Sequence, residues 1–125
     1  MAAPNIVGVA TITGITTYLS LSDTSETVLV TNAASSNYVY KINTIQVAND
    51  DGSSSADITV AINDAAAGAG SNYALASTVA VAADSSLVVT DKASSFYLEE
   101  DRSIVVTASA GNDLDVMCSY DKIID

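Results

Sequence analysis

The side chains able to do chemistry in this chain are its acids, its tyrosines and one thiol. Histidine is absent, and with it the commonest general base and metal ligand. A serine nucleophile needs a neighbouring base, and only carboxylates and three lysines remain to supply one. No Gly-Lys-Ser/Thr phosphate loop and no paired-cysteine metal motif occurs. Two carboxylates can form a glycosidase pair, but the acids here fall in turns or on the wet sides of strands, where both stay ionised. These residue types assemble no catalytic site, so the chain is expected not to be an enzyme and to need no cofactor. Asp50, Asp51 and Asp57 flank one turn, and Glu99, Glu100 and Asp101 crowd another. Calcium takes six to eight oxygen ligands in such corners, yet the spacing of a helix–loop–helix calcium site is missing, and solvated acidic turns are the expectation.

Cys118 is the single cysteine, so no disulfide forms within the chain. It shares strand parity with Leu114 and Val116, which marks it as a small buried residue rather than a nucleophile. The tyrosines, six in all, divide by parity. Tyr120 and one of Tyr38 or Tyr40 are expected in the core. Tyr18 and Tyr97 run against the parity of their apolar neighbours, so both are candidate interface residues.

Elements that place these residues are strands. Ile104, Val106 and Ala108 alternate with Val105, Thr107 and Ser109. After Gly111-Asn112-Asp113, residues Leu114, Val116, Cys118 and Tyr120 alternate with polar ones. This pattern predicts an antiparallel hairpin with one apolar face. Upstream, Ile6 to Ser22 reads as two short strands or one bent at Gly14, and Glu26 to Asn32 as the next. Tyr38 to Asn49 is the longest strand, and its parity changes midway: Tyr38, Tyr40 and Ile42 share one face, Ile45 and Val47 the other. A β-bulge near Asn43-Thr44 would restore one buried face. Asn49 to Ser55 is the strongest turn signal, followed by alternating Ile58, Val60 and Ile62. Ala65 to Gly70 reads as a mobile loop, Leu75, Val79 and Val81 as one face of a strand, and Leu87 to Thr90 as another. Residues 1–5 read as an arm that Pro4 keeps out of a sheet interior, so Pro4 and Asn5 join the interface candidates.

The sum is an all-β chain: a single-domain antiparallel β-sandwich over residues 1–125, jelly-roll or immunoglobulin-like, with about eight or nine strands. At 125 residues it is long enough for one core, but Ala, Ser and Thr make that core small-featured. Fifteen acids against four cations leave a net charge of −11, which argues against direct nucleic-acid or anionic-membrane binding. No basic segment leading into an apolar one opens the sequence, and no apolar run spans a membrane, so a soluble chain made in a cytoplasm is expected.

Three blocks of this sequence resemble a family of small all-β structural proteins of tailed bacteriophages, in particular virion proteins of marine cyanobacterial phages. They are Tyr40-Lys41-Ile42-Asn43-Thr44-Ile45-Gln46-Val47-Ala48-Asn49 with Asp57-Ile58-Thr59-Val60, the run Phe96 to Ala110, and Asp115 to Tyr120. Where many of those proteins have Gly-Asp, this chain has Glu100-Asp101. The resemblance implies a particle component located in the virion and assembled in the host cytoplasm, with no catalytic, cofactor or metal residues to carry over. Its implied role is a capsid decoration or cement protein, a symmetric homo-oligomer (a trimer is favoured) bound to the major capsid protein or other virion proteins. A neck or tail ring component is the alternative. A further one, from the tyrosines and the acidic corner, is a module that binds host glycans.

Overall fold

The computed structural model describes residues 6–8 and 11–124, and among them nine strands are joined by short loops. They are β1 (Thr11–Ser20), β2 (Thr27–Asn32), β3 (Tyr38–Asn49), β4 (Ala56–Asn63), β5 (Asn72–Val81), β6 (Ser86–Thr90), β7 (Phe96–Leu98), β8 (Arg102–Ala108) and β9 (Leu114–Ile124). A single 3-10 turn, Lys92–Ser94, separates β6 from β7 and is capped by the Asp91 side chain. The arm expected over residues 1–5, with Pro4 and Asn5, lies outside the described residues.

The strands form two antiparallel sheets. One runs β1-β9-β3-β6, with β7 beside β6 along the same side of β3; the other runs β2-β8-β4-β5. From β1 to β4 each strand crosses to the opposite sheet from its predecessor. An immunoglobulin-like sandwich would pair its first two strands within one sheet. The β1-β9-β3-β6 and β2-β8-β4-β5 orders are those of a jelly roll, which decides between the two architectures expected from sequence.

Ile42, Ile45, Ile58, Ile104, Val106 and Leu114 meet between the sheets and are essentially inaccessible to solvent. Each contributes roughly 1.5–3 kcal/mol by leaving water. The bulge in β3 falls where the parity change required it: Ile42 pairs with Tyr120, Thr44 with Ser119, and Asn43 is the extra residue. Tyr40, Ile42, Ile45 and Val47 therefore all enter the core.

Four expectations are corrected. β8 and β9 are not a hairpin, since β8 pairs with β2 and β4 while β9 pairs with β1 and β3. The 109–113 connection crosses between sheets, held by Asn112 donating its backbone N–H to the Leu21 carbonyl. At Gly111 a Cβ would stand 2.6 Å from the Ser22 carbonyl oxygen, so only glycine fits. Second, Val105 is buried on the side of β8 expected to be wet, because the 64–71 loop lies over it.

That loop is the third correction. The Ala65-to-Gly70 stretch, read as mobile, is pegged by side chains from its surroundings. Thr31 Oγ1 donates to the Ala66 carbonyl at 2.6 Å and Ser103 Oγ to the Ala65 carbonyl at 2.7 Å. The Ala66 N–H donates to Asp101 Oδ1, and Asn63 Nδ2 donates to the carbonyls of Gly68 and Gly70. Fourth, Leu75 does not share a face with Val79 and Val81. The β4–β5 register slips between Ile58 and Ala61, Thr78 takes φ 47°, and Ala76 packs inward instead.

Asn32, Asn49 and Asn63 are the final residues of β2, β3 and β4, and all three are buried. Each Nδ2 donates to at least two backbone carbonyls: Tyr38 and Leu98 for Asn32, Ser54 and Val81 for Asn49, Gly68 and Gly70 for Asn63. The Oδ1 of Asn49 and of Asn63 accepts the N–H two residues on. A side chain that can both donate and accept thus ends the strand and shapes the loop after it.

Candidate interaction surface

The acids do not converge. Among the described residues no group of three or more His, Cys, Asp or Glu side chains is placed to hold a metal ion. Asp51 Oδ1 accepts the backbone N–H groups of Ser53 and Ser54, which hold its carboxyl below the usual range. Asp113 moves the opposite way, raised by desolvation and then by the charge of Asp51. At the other corner Asp101 takes the left-handed conformation (φ 58°) and anchors Ala66 through its carboxylate. Glu100 itself has no positive φ, so this turn does not require glycine at that position. Cys118 is fully buried, and burial pushes its thiol up to about 12.

Tyr40 and Tyr120 are core residues, their rings stacked at 4.9 Å. Burial raises the Tyr40 hydroxyl, and the Tyr120 hydroxyl lies 3.3 Å from Thr17 Oγ1. Tyr38 is half-buried, with Lys122 Nζ 4.2 Å from its ring centre. Tyr18 (76% exposed) and Tyr97 (46% exposed) both lie on the outer face of the β1-β9-β3 sheet. The pairings fix this: Tyr18 lies opposite Met117 and Tyr97 opposite Lys41, whereas Ile42 and Tyr120 point inward. The two tyrosines occupy strands on opposite sides of β9 and β3, so they belong to one face but not to one cluster.

Sequence reasoning missed Ile12 and Val88, both exposed on that face, and the half-buried Met117 between Tyr18 and Gln46. Ile12 could have been found, since it has the parity of Tyr18 within Thr11-Ile12-Thr13-Gly14-Ile15-Thr16-Thr17-Tyr18. A shallow open depression of about 260 Å³ adjoins Tyr18, lined by Tyr18, Gln46, Ala48, Asp115, Val116 and Met117.

The sandwich has four sheet margins, and three are blunted. β2 is six residues long, slips register between Val28 and Val30, and receives the 64–71 loop through Thr31. β5 slips register twice against β4 and contains Thr78 with positive φ. The β6–β7 margin is interrupted by the 3-10 turn and by Asp91 and Lys92. Among the described residues β1 alone is a long and regular margin: ten residues, in unbroken register with β9, with no charge, no proline and no bulge. An edge of that kind offers unpaired N–H and C=O groups to another strand.

No family model matches the chain, and no curated protein matches it in sequence. Among solved structures, a chain from Bacillus endospore appendages, described as a novel family of disulfide-linked pili, superposes with a TM-score of 0.53 at 14% sequence identity. That match covers 91% of this chain and 88% of the other. A chain of the cyanophage Pam1 capsid asymmetric unit aligns at TM-score 0.39 and 10% identity, over 100% of this chain and 93% of that one. The first likeness is one of fold, and the second is too distant in shape to bear an argument.

Proposed function

We propose that this chain is a non-enzymatic structural protein of a bacteriophage particle, a decoration or cement protein that sits on the head surface as a symmetric oligomer. The observation that carries the building-block role is β1, a ten-residue uncharged strand that among the described residues pairs only with β9, while the other margins are blunted. The virion setting is supported by the sequence resemblance at Tyr40–Asn49, Phe96–Ala110 and Asp115–Tyr120. A jelly roll hosts many functions, so the fold alone does not choose among them. Disulfide linkage of the kind named for the Bacillus pili does not transfer, because the one cysteine of this sequence is buried between the sheets.

Copy number in purified particles, measured by quantitative mass spectrometry, tests the assignment. Hundreds of copies per head support decoration, a handful moves the protein to a neck or tail ring, and absence from particles overturns both. Deleting residues 1–5 is expected to leave the sandwich folded and to weaken incorporation, and normal incorporation would remove the arm from the contact. The depression beside Tyr18 favours one other reading, glycan binding, since an aromatic wall next to Gln46 and Asp115 suits a sugar ring. A glycan array answers that directly: binding lost on Tyr18→Ala supports it, and a blank array removes it.

A further inference from the structure

We infer that β1 is the contact between two copies of this chain, pairing with itself in antiparallel fashion so that residue i of one copy lies opposite residue 30 − i of the other. The inference rests on the oligomeric part of the proposal above and not on its location in a virion.

Charge comes first. The chain is strongly acidic, yet β1 carries no charged residue. The nearest acids in its sheet, Asp115 and Asp121, belong to β9, opposite Ser20 and Gly14. Across a β1–β1 contact the two β9 strands stand three strand spacings apart, roughly 14 Å, beyond the ~8 Å screening length of physiological salt. Two copies can therefore meet here without opposing carboxylates.

Register comes second. A two-fold axis normal to the sheet keeps each face on its own side, so a residue must oppose one of its own parity. Only two such registers are centred on β1, one placing Ile15 on itself and the other Thr16 on itself. The first sets Ile12 opposite Tyr18 twice over, joining the two large exposed apolar side chains of the strand (57% and 76% exposed). The second sets Ile12 against Ser20 and Tyr18 against Gly14. Aromatic and β-branched partners across strands are the stabilising combination, which selects the first.

Gly14 is the third observation. It has no positive φ, and a Cβ there would meet only Asp121 Oδ1, at 4.0 Å. Nothing in its own fold asks for glycine. In the chosen register it lies opposite Thr16 and diagonal to the partner's Tyr18, where a missing side chain leaves room for the ring. An isologous contact closes at two copies, so it replaces the trimer expected from sequence. A three-fold ring would require β1 to pair with a different margin, and the other three are blunted.

Sedimentation of the purified full chain over a concentration series provides the test. The wild type is expected to dimerise, and Tyr18→Asp to weaken the dimer by about tenfold or more, since each substitution counts twice. Tyr73→Asp on β5 and deletion of residues 1–5 should leave it unchanged, with melting curves establishing that every variant is folded. Register is read by mild oxidation of an Ile12→Cys and Tyr18→Cys mixture, which should cross-link as a heterodimer while neither variant cross-links alone. A monomeric or trimeric wild type, a dimer lost with Tyr73→Asp or the deletion, or cross-linking of either cysteine variant by itself overturns the inference. A dimer in solution with no chain in particles sinks the virion proposal and leaves this one standing; a monomer found in particles does the reverse.

Discussion

β1 and β2 stand at the same side of the sandwich, one ending each sheet, and they are finished in opposite ways. β2 is short and bulged, and its outer neighbours lie under a loop that Asn63, Thr31, Ser103 and Asp101 all hold down. β1 is long, straight in register and, among the described residues, paired on one side only. The difference teaches that an open margin here is not a property of the fold: at the β2 margin this chain commits four polar side chains to pinning a loop, Asn63 and Ser103 buried, Thr31 and Asp101 exposed. Residues that guard β2 are stability residues, and residues exposed on β1 are free to serve contact.

The largest expected break in that contrast is Asn63→Ala. It leaves the Gly68 and Gly70 carbonyls and the Ala65 and Gly70 N–H groups without their partner, and should cost about 2–4 kcal/mol in denaturant unfolding. Thr16→Ala on β1 should stay within about 0.5 kcal/mol. A loss at position 16 as large as that at 63 would erase the distinction.

The two glycines sharpen it further. Gly68 sits at φ 78°, and a Cβ would press on Val28 Cγ2 and Val105 Cγ1 at 3.2 and 3.3 Å, so Gly68→Ala should destabilise by about 1–2 kcal/mol or more. Gly14→Ala should be neutral or stabilise the isolated fold by about 0.5–1 kcal/mol, because strand glycine carries only an entropic cost there. Thermal unfolding at a concentration too low for association compares them.

The smallest effect is at the Asp51–Asp113 corner. Asp51, lowered by the backbone hydrogens of Ser53 and Ser54, adds stability above the ordinary carboxylate value and loses it as pH falls through its lowered one. Asp113, raised by desolvation and then by Asp51, contributes below the ordinary value and loses that contribution as pH rises through its raised one. Asp113→Asn should therefore gain melting temperature relative to the wild type as pH rises from roughly 3 to roughly 6, and Asp51→Asn should lose it. Parallel melting curves for Asp113→Asn and the wild type across that range would remove the coupling.

Much of the architecture was legible because strand alternation reports which face a side chain takes. The bulge near Asn43-Thr44, the inward Tyr120 and the outward Tyr18 and Tyr97 follow from parity, while the choice of Tyr40 over Tyr38 for the core came with the fold. Parity does not report the partner strand. β8 and β9 alternate as a hairpin would, but an arch between sheets also turns both apolar faces to the same core. The 64–71 loop was misread for a different reason. Alanine and glycine have no side chains with which to order themselves, so the loop's order resides in Asn63, Thr31 and Ser103, which lie in β4, β2 and β8. Of the three strand-ending asparagines only Asn49 read as the start of a turn, and the burial of all three came only with the fold.

The placing of β9 has a kinetic consequence. It lies between β1 and β3, and Thr11 finds its partner in Ile124. Contacts so remote in sequence are slow to form, since the chain entropy must be given up before they repay it. During synthesis β1 waits for its β9 partner until the last of the nine described strands emerges, and a nascent neighbour could meet it first. The strand that we assign to joining finished copies is therefore also the one most exposed to premature pairing, and dilution during refolding should raise the yield of correctly closed sandwiches.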